Sequence, residues 1–267
     1  MADISEAGAE TKGNLKLVQQ QFRRQAEAYE AIPIVTDEQF LNYIVTISGV
    51  GKNDRVLDVA SGPGFVAMAF APHCREVIGI DATDRFVARA EAEASRRRLT
   101  NVSFMLGDVE RMSFPDQTFD VVVCRFAFHH FPHPDAVLAE IRRVVRDGGT
   151  VMIVDMVASE DTEKAAYHNR VERLCDPSHA RALPATEFER MFAAQRLDVL
   201  HKEPRKSSYT LDAWIAHGAP APTQEAQIRE LMAASVAEDR SGLDVRVMDG
   251  VIGFSHTGMS YVLRKRG

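Results

Sequence analysis

Cysteine is scarce in this chain: Cys74, Cys124 and Cys175 are its three in 267 residues, far apart and without a CxxC pair. That pattern excludes a disulfide framework and a zinc ribbon and fits a reducing cytoplasm. Long apolar runs are missing as well. No window approaches the ~18 apolar residues that a membrane span requires, and the first residues carry acids, Gly and Thr without the apolar stretch of a secretory leader. The expectation is a cytoplasmic protein, neither secreted nor inserted in a membrane. A basic excess is also lacking: 32 Lys and Arg stand against 38 Asp and Glu, a net charge of -6. A nucleic-acid binder presents a basic face, and the short basic end Arg264-Lys265-Arg266 does not supply one.

What is present is an ordinary globular mixture, 45% hydrophobic and 26% charged. Its length suits one α/β domain with an added lid. Leu15, Val18, Phe22, Ala26 and Tyr29 fall at helical spacing, and the pattern stops before Ile32-Pro33. A second helix is expected from Asp37, its cap, to about Ser48. From Arg55 the pattern changes to short apolar runs alternating with helical stretches, the mark of a parallel sheet flanked by helices. Five strands are predicted: Val56 to Ala60, Glu76 to Ile80, Val102 to Leu106, Phe119 to Cys124 and Thr150 to Val154. Helices are predicted at 65–71, 84–98 and 135–146, while the crossover 107–118 reads as irregular. Beyond Asp155 the chain reads as polar helix to about Ala194, then a strand near Leu197 to Glu203 and a charged loop. Two helices follow over 211–240, broken at Gly218-Ala-Pro-Ala-Pro222, and a last strand at Met259 to Leu263. The expected organisation is a helical N-terminal lid (1–50), a core (51–210) with a lid segment (157–184), and a helical insertion with the last strand (211–267).

The first strand, Val56-Leu57-Asp58-Val59-Ala60, runs into Ser61-Gly62-Pro63-Gly64 and then a helix. Glycines at such a turn let a ligand approach the backbone, and the helix start offers free N–H groups. Gly62-x-Gly64-x-x-Ala67 also satisfies the dinucleotide fingerprint, so the turn alone leaves an NAD(P)-dependent oxidoreductase open. Asp58 tips the balance: a carboxylate inside a strand end needs donors or a cation, which an ammonium supplies and a pyrophosphate does not. Asp81 at the second strand tip is placed to grip ribose hydroxyls. Asp108, after Gly107 and before Val109, is placed to accept from an adenine amino group while Val109 packs on the ring. Three acids at three successive strand tips are more specific than any one of them.

With these residues the chain resembles the class I methyltransferases that use S-adenosylmethionine (SAM), in particular the group that includes ubiquinone and menaquinone C-methyltransferases. The resemblance covers roughly residues 15–155. It rests on Val56-Leu-Asp-Val-Ala-Ser-Gly-Pro-Gly64, Val77-Ile-Gly-Ile-Asp81, Gly107-Asp108, Phe114-Pro-Asp-Gln-Thr-Phe-Asp120 and Arg142-Arg-Val-Val-Arg-Asp-Gly-Gly149. It implies a doubly wound, mostly parallel, seven-stranded Rossmann-like α/β sheet with one antiparallel strand. SAM would lie across the carboxyl ends of the first strands and leave as S-adenosylhomocysteine. The Gly62 to Gly64 turn would hold the methionine part, Asp81 the ribose and Asp108 the adenine, with Phe86 covering the ring and Ser61 and Ala82 also at the cofactor. Arg125-Phe126 would meet the methionine ammonium through backbone oxygen. The chain departs from typical quinone methyltransferases in a lid-like stretch, Asn169 to Leu183, and in an insertion, 211–257.

Methyl transfer is an in-line displacement on an activated sulfonium, so alignment and exclusion of water are the main tasks. A base is needed where the acceptor carries a proton, and His129 and His130, directly after the fourth strand, are the candidates; the alternative for either is a hydrogen-bonded packing role. With His133 they form His-His-x-x-His, but Phe131-Pro132 breaks the helix that would align ligands, and no metal is expected. Tyr29 either closes over the methyl group or completes its helix's apolar stripe. Arg170, Arg173, Asp176, His179 and Arg181 either shape an acceptor site or form an ion-pair network that holds the lid shut. Trp214 and Phe254 supply pocket wall or ordinary core. The expected partner is a small-molecule acceptor methylated on O, C or N; the oligomeric state is open. A SAM-binding protein with non-methylating chemistry is the remaining alternative.

Overall fold

The computed structural model describes residues 16, 17, 19–21 and 36–267. Its centre is a parallel sheet whose strands are apolar on both faces. Numbered in chain order, the strands are β1 (Arg55–Val59), β2 (Glu76–Asp81), β3 (Val102–Leu106), β4 (Phe119–Arg125), β5 (Val145–Ala158), β6 (Leu183–Pro184), β7 (Leu197–Thr210), β8 (Arg246–Met248) and β9 (Val251–Lys265). The main path runs β3-β2-β1-β4-β5-β9-β7, with β6 beside β5 and β8 beside β9. Strand β9 is antiparallel to both its neighbours on that path. A seven-stranded path with one reversed strand is the fold the resemblance implies; β6 and β8 are short additions.

Alternation along β1 sets the two layers. Leu57 and Val59 pack with Val122, Ile153, Leu138, Ile141 and Phe192, under α4 (Pro134–Val144) and α6 (Ala185–Ala194). Val56 joins Val77, Val121, Val123 and Met152 on the other face. That face is covered by α1 (Glu38–Ser48), α2 (Phe65–Phe70) and α3 (Asp84–Arg96). Asp37 caps α1 as expected, accepting from Phe40 N at 3.1 Å. The crossover 107–118 is irregular and is pinned by Arg143, which donates to the carbonyls of Met112 and Phe114.

A third apolar cluster gathers α5 (Thr162–Cys175), α7 (Leu211–Gly218), α8 (Pro222–Ala237) and the first half of β9. Val171, Cys175, Trp214, Ile228, Met232 and Phe254 are its buried members. Trp214 and Phe254 meet edge to face at 5.4 Å, so both are core of this unit.

Three strands run past their predicted ends. Strand β5 spans Val145–Ala158 rather than Thr150 to Val154, β9 starts at Val251 rather than Met259, and the expected charged loop after Glu203 is strand to Thr210. Pairing decides this: β7 and β9 form one long antiparallel ladder from Leu197↔Lys265 to Thr210↔Gly253. Strand β7 is the sheet's edge and its side chains from Leu200 to Lys206 face water. Such a strand needs no apolar alternation, and its charges guard the free edge. The predicted helix ending at Tyr29 lies largely outside the described residues, and Tyr29 itself is among those not described.

Candidate active site

The carboxyl ends of β1, β2 and β3 meet in one place, with each acid tied to backbone amides. Ala60, Gly62 and Gly64 all have positive φ, at 54°, 51° and 84°, so the chain turns sharply out of β1 and into α2. A Cβ at Gly62 would meet nothing within 4 Å, whereas one at Gly64 would strike the Phe104 ring at 2.5 Å. Gly64 is thus required by packing, and Gly62 borders open space. Asp58 is 1% exposed and accepts from Ala67 N at 3.0 Å. Burial pushes its carboxyl up to about 7, against the pull of that amide and the Arg125 guanidinium. Asp81 accepts from Gly62 N through one oxygen and Thr83 N through the other, both at 2.8 Å; burial raises it too. The buried hydroxyl of Ser61, close against Gly79 of β2, has no hydrogen-bond partner.

The remaining predicted contacts fall along the same edge. Ala82 O accepts from Gln19 at 2.8 Å, and Gly107 N donates to Asp81 O at 2.9 Å. Asp108 accepts from Glu110 N at 2.9 Å, while Val109 packs against the core. Phe86 is buried in the first turn of α3. Arg125 is buried at the end of β4, its guanidinium 4.9 Å from the Phe126 ring. Phe126 adopts a positive φ of 54°, and its amide donates to Val154 O at 2.7 Å.

One step further along the chain, a short 3-10 turn, Phe128–His130, carries the two histidines. His129 Nδ1 lies 2.6 Å from Asp155 Oδ1, and the other oxygen of Asp155 accepts from Phe128 N at 2.6 Å. Asp155 is 1% exposed. Burial alone would lower His129, but the Asp155 carboxylate outweighs it and holds the imidazole above its ordinary value. His130 is the opposite case: burial and the neighbouring His129 push it down to about 4. Its Nδ1 is 3.2 Å from Ser178 O. The two adjacent histidines are therefore shifted in opposite directions. In the sequence Asp155 marks only the point after which the strand pattern gives way to a polar helical one; its partner, 26 residues away, carries no local signal.

The lid stretch is tied mainly by individual hydrogen bonds. Arg173 donates to Ala180 O, Asp176 accepts from Ser178, and His179 Nε2 lies 2.7 Å from Asn169 Oδ1. Arg181 pairs with Glu187 of α6, and Arg170 is exposed. Ala180 N and Arg181 N both donate to His129 O, which fastens the lid to the histidine turn. His133 is placed as the residue before α4, apart from the Asp155 and Ser178 contacts of the other two, so His-His-x-x-His is not brought together as a ligand set.

A parallel sheet with a glycine turn and acids at successive strand tips defines an enzyme of the nucleotide-cofactor, Rossmann-like type. Comparison with known proteins narrows the class. A family model described as a methyltransferase domain matches residues 57–153. Uncharacterized methyltransferase YcgJ of Bacillus subtilis (strain 168) is 33% identical over 207 residues, 78% of this chain and 82% of that protein. Its crystal structure has a TM-score of 0.79 at 31% identity and covers 85% of this chain and 98% of its own. The structure of BH2331 from Bacillus halodurans C-125 gives a TM-score of 0.81 at 28% identity, over 85% of this chain and 99% of that one. Ubiquinone/menaquinone biosynthesis C-methyltransferase UbiE of Cupriavidus necator is 37% identical over 117 residues, 42% of this chain and 47% of that protein. The chain belongs to the class I SAM-dependent methyltransferases, which settles the choice that the glycine turn left open. Among the described residues no helix is long and apolar enough to cross a membrane.

Proposed function

We propose that the protein transfers the SAM methyl group to a proton-bearing oxygen or nitrogen of a small molecule, with His129 as the base and Asp155 as its positioning residue. The carrying observation is the 2.6 Å contact between His129 Nδ1 and a carboxylate 1% exposed. Donation from Nδ1–H to Asp155 fixes the tautomer and leaves Nε2 with the lone pair that can take an acceptor proton. His130, neutral and bonded to the lid, shapes the same wall.

For the cofactor, the open space at Gly62, whose amide is held by Asp81, and the neighbouring Ser61 suit a methionine and ribose group. Asp58 and the Arg125-Phe126 backbone favour the ammonium end, Asp81 and Ala82 the ribose, and Gly107, Asp108, Val109 and Phe86 the adenine. SAM supplies the activated methyl on a sulfonium. The chain's own residues orient the acceptor in line, exclude water beneath the lid and remove the proton. Tyr29 remains a candidate for covering the methyl.

Calorimetric titration with SAM, S-adenosylhomocysteine and NAD in parallel tests the cofactor assignment. Binding of the first two without NAD is the expected result. NAD binding alone would overturn it. Product analysis then asks for S-adenosylhomocysteine in step with a methylated acceptor, and SAM consumption without methylation would favour the non-methylating alternative.

A further inference from the structure

Within the lid stands a second set of convergent side chains that the methyl-transfer chemistry does not use. His168 and Glu172 are one turn apart on α5 and so share a face, and β9 brings His256 against them. His256 Nε2 is 2.8 Å, and His168 Nε2 3.4 Å, from the same atom, Glu172 Oε1. One ligand atom from each of the three lies within 4.8 Å of the others. The residues are 1%, 5% and 7% exposed in chain order. The two imidazoles stack with centroids 5.6 Å apart, and Tyr209, Trp214 and Phe254 close around His256.

A buried carboxylate needs a compensating charge, and the His256 Nε2 contact at 2.8 Å supplies one hydrogen bond to it. That arrangement still leaves His168 unexplained, because its Nε2 is buried with no hydrogen-bond partner although it points at the same oxygen. Two imidazole nitrogens and one carboxylate oxygen are the donor set of a divalent first-row transition metal. Two donors ~2.1 Å from one ion lie roughly 3.0–3.4 Å apart in octahedral or tetrahedral geometry, close to both imidazole distances from Glu172 Oε1. We propose that His168, Glu172 and His256 bind one divalent transition-metal ion, of the zinc, cobalt or iron kind. A single cation satisfies all three groups and brings in His168 Nε2, which otherwise stands 3.4 Å from Glu172 Oε1. Three protein ligands leave a position open for an oxygen or nitrogen of another molecule. The ion would sit on the acceptor side: Asn169, next to His168, contacts His179, whose ring is 5.6 Å from that of His129.

The test is titration of metal-free full-length protein with Co²⁺ alone, read by visible absorption and followed by Zn²⁺ displacement. SAM is left out, so a failure of the methyl-transfer reading does not touch the result. Expected are one Co²⁺ per chain with the absorption of an N,O-ligated site, and at least roughly 100-fold weaker binding in H168Q and in H256Q. H129Q should bind Co²⁺ as the parent does. Thermal melting adds a second readout: Zn²⁺ should raise the Tm of the parent and leave that of H168Q unmoved. H168Q removes a nitrogen with no hydrogen bond and should retain the parent's circular dichroism. No uptake by the parent, or uptake and melting shifts that H168Q and H256Q leave unchanged, would overturn the site.

Discussion

The cofactor edge and the histidine side of this molecule solve one problem, holding polar groups in a dry interior, in two different ways. At the cofactor edge the acids lean on backbone amides: Asp81 bonds one two residues on and that of Gly62 19 residues back, Asp108 bonds one two residues on, and Asp58 reaches nine residues into α2. On the histidine side the principal bonds span the fold, with separations of 26 for His129 and Asp155, 48 for His130 and Ser178, and 84 for Glu172 and His256. The first arrangement forms with the strand and turn themselves. The contacts of His130 with Ser178 and of His256 with Glu172 need the segment 157–184 packed on the sheet, whereas His129 and Asp155 meet across the neighbouring strands β4 and β5.

The sharpest way to break this division is kinetic. A positioned base contributes about 10²–10⁴-fold, so H129A should lose on the order of 10³-fold in kcat while its SAM affinity stays within about threefold of the parent. Asp155 holds His129 above its ordinary value, and His129 must be neutral to accept a proton. The parent's kcat should therefore rise as pH climbs through that raised value and level off beyond it. In D155N the rising limb should move to lower pH and the plateau should fall. A D155N profile with an unmoved limb would remove Asp155 from the mechanism.

Next in size is the converse variant. D81A removes both the acid expected at the ribose and the acceptor that holds Gly62 N, so SAM binding should weaken about 100-fold, roughly 2.7 kcal/mol, by calorimetry. With saturating SAM its kcat should fall much less. Comparable losses of SAM affinity in D81A and H129A would erase the boundary between the two regions.

The same contrast explains what could be read from the chain alone. The parallel strands β1 to β4, the cap at Asp37 and the three acids at strand tips were legible because each depends on neighbours in sequence. The long β7–β9 ladder was not, because an edge strand facing water carries charge in place of alternation. Asp155 falls just past the predicted strand, and nothing in α5 pairs Glu172 with His256, since only the reversed β9 brings them together. The histidine pair itself is legible from its position after β4; the opposite shifts of its two members depend on the carboxylate behind one ring and the Ser178 carbonyl beside the other.

The smallest expected effect is also the most informative about the cofactor edge. Asp58 is raised by burial to about 7 from 3.8, so between those values the folded protein holds a proton that the unfolded chain releases. Stability from this group is accordingly fully present at low pH and is lost as pH rises toward 7, a cost of at most on the order of 4 kcal/mol. An asparagine avoids that cost but accepts less strongly from Ala67 N, giving back about 2 kcal/mol. D58N should thus melt about 5 °C above the parent at pH 8, with the gain gone by pH 5. A SAM ammonium near Asp58 would favour the ionised carboxyl, so SAM binding to the parent should release a proton near pH 6.5 and tighten toward pH 8, and D58N should lose that proton release. A pH-independent gain in D58N would show that Asp58 is charged at all times. A gain of the expected form with proton release unchanged from the parent would place the ammonium elsewhere and make Asp58 an anchor for α2 alone.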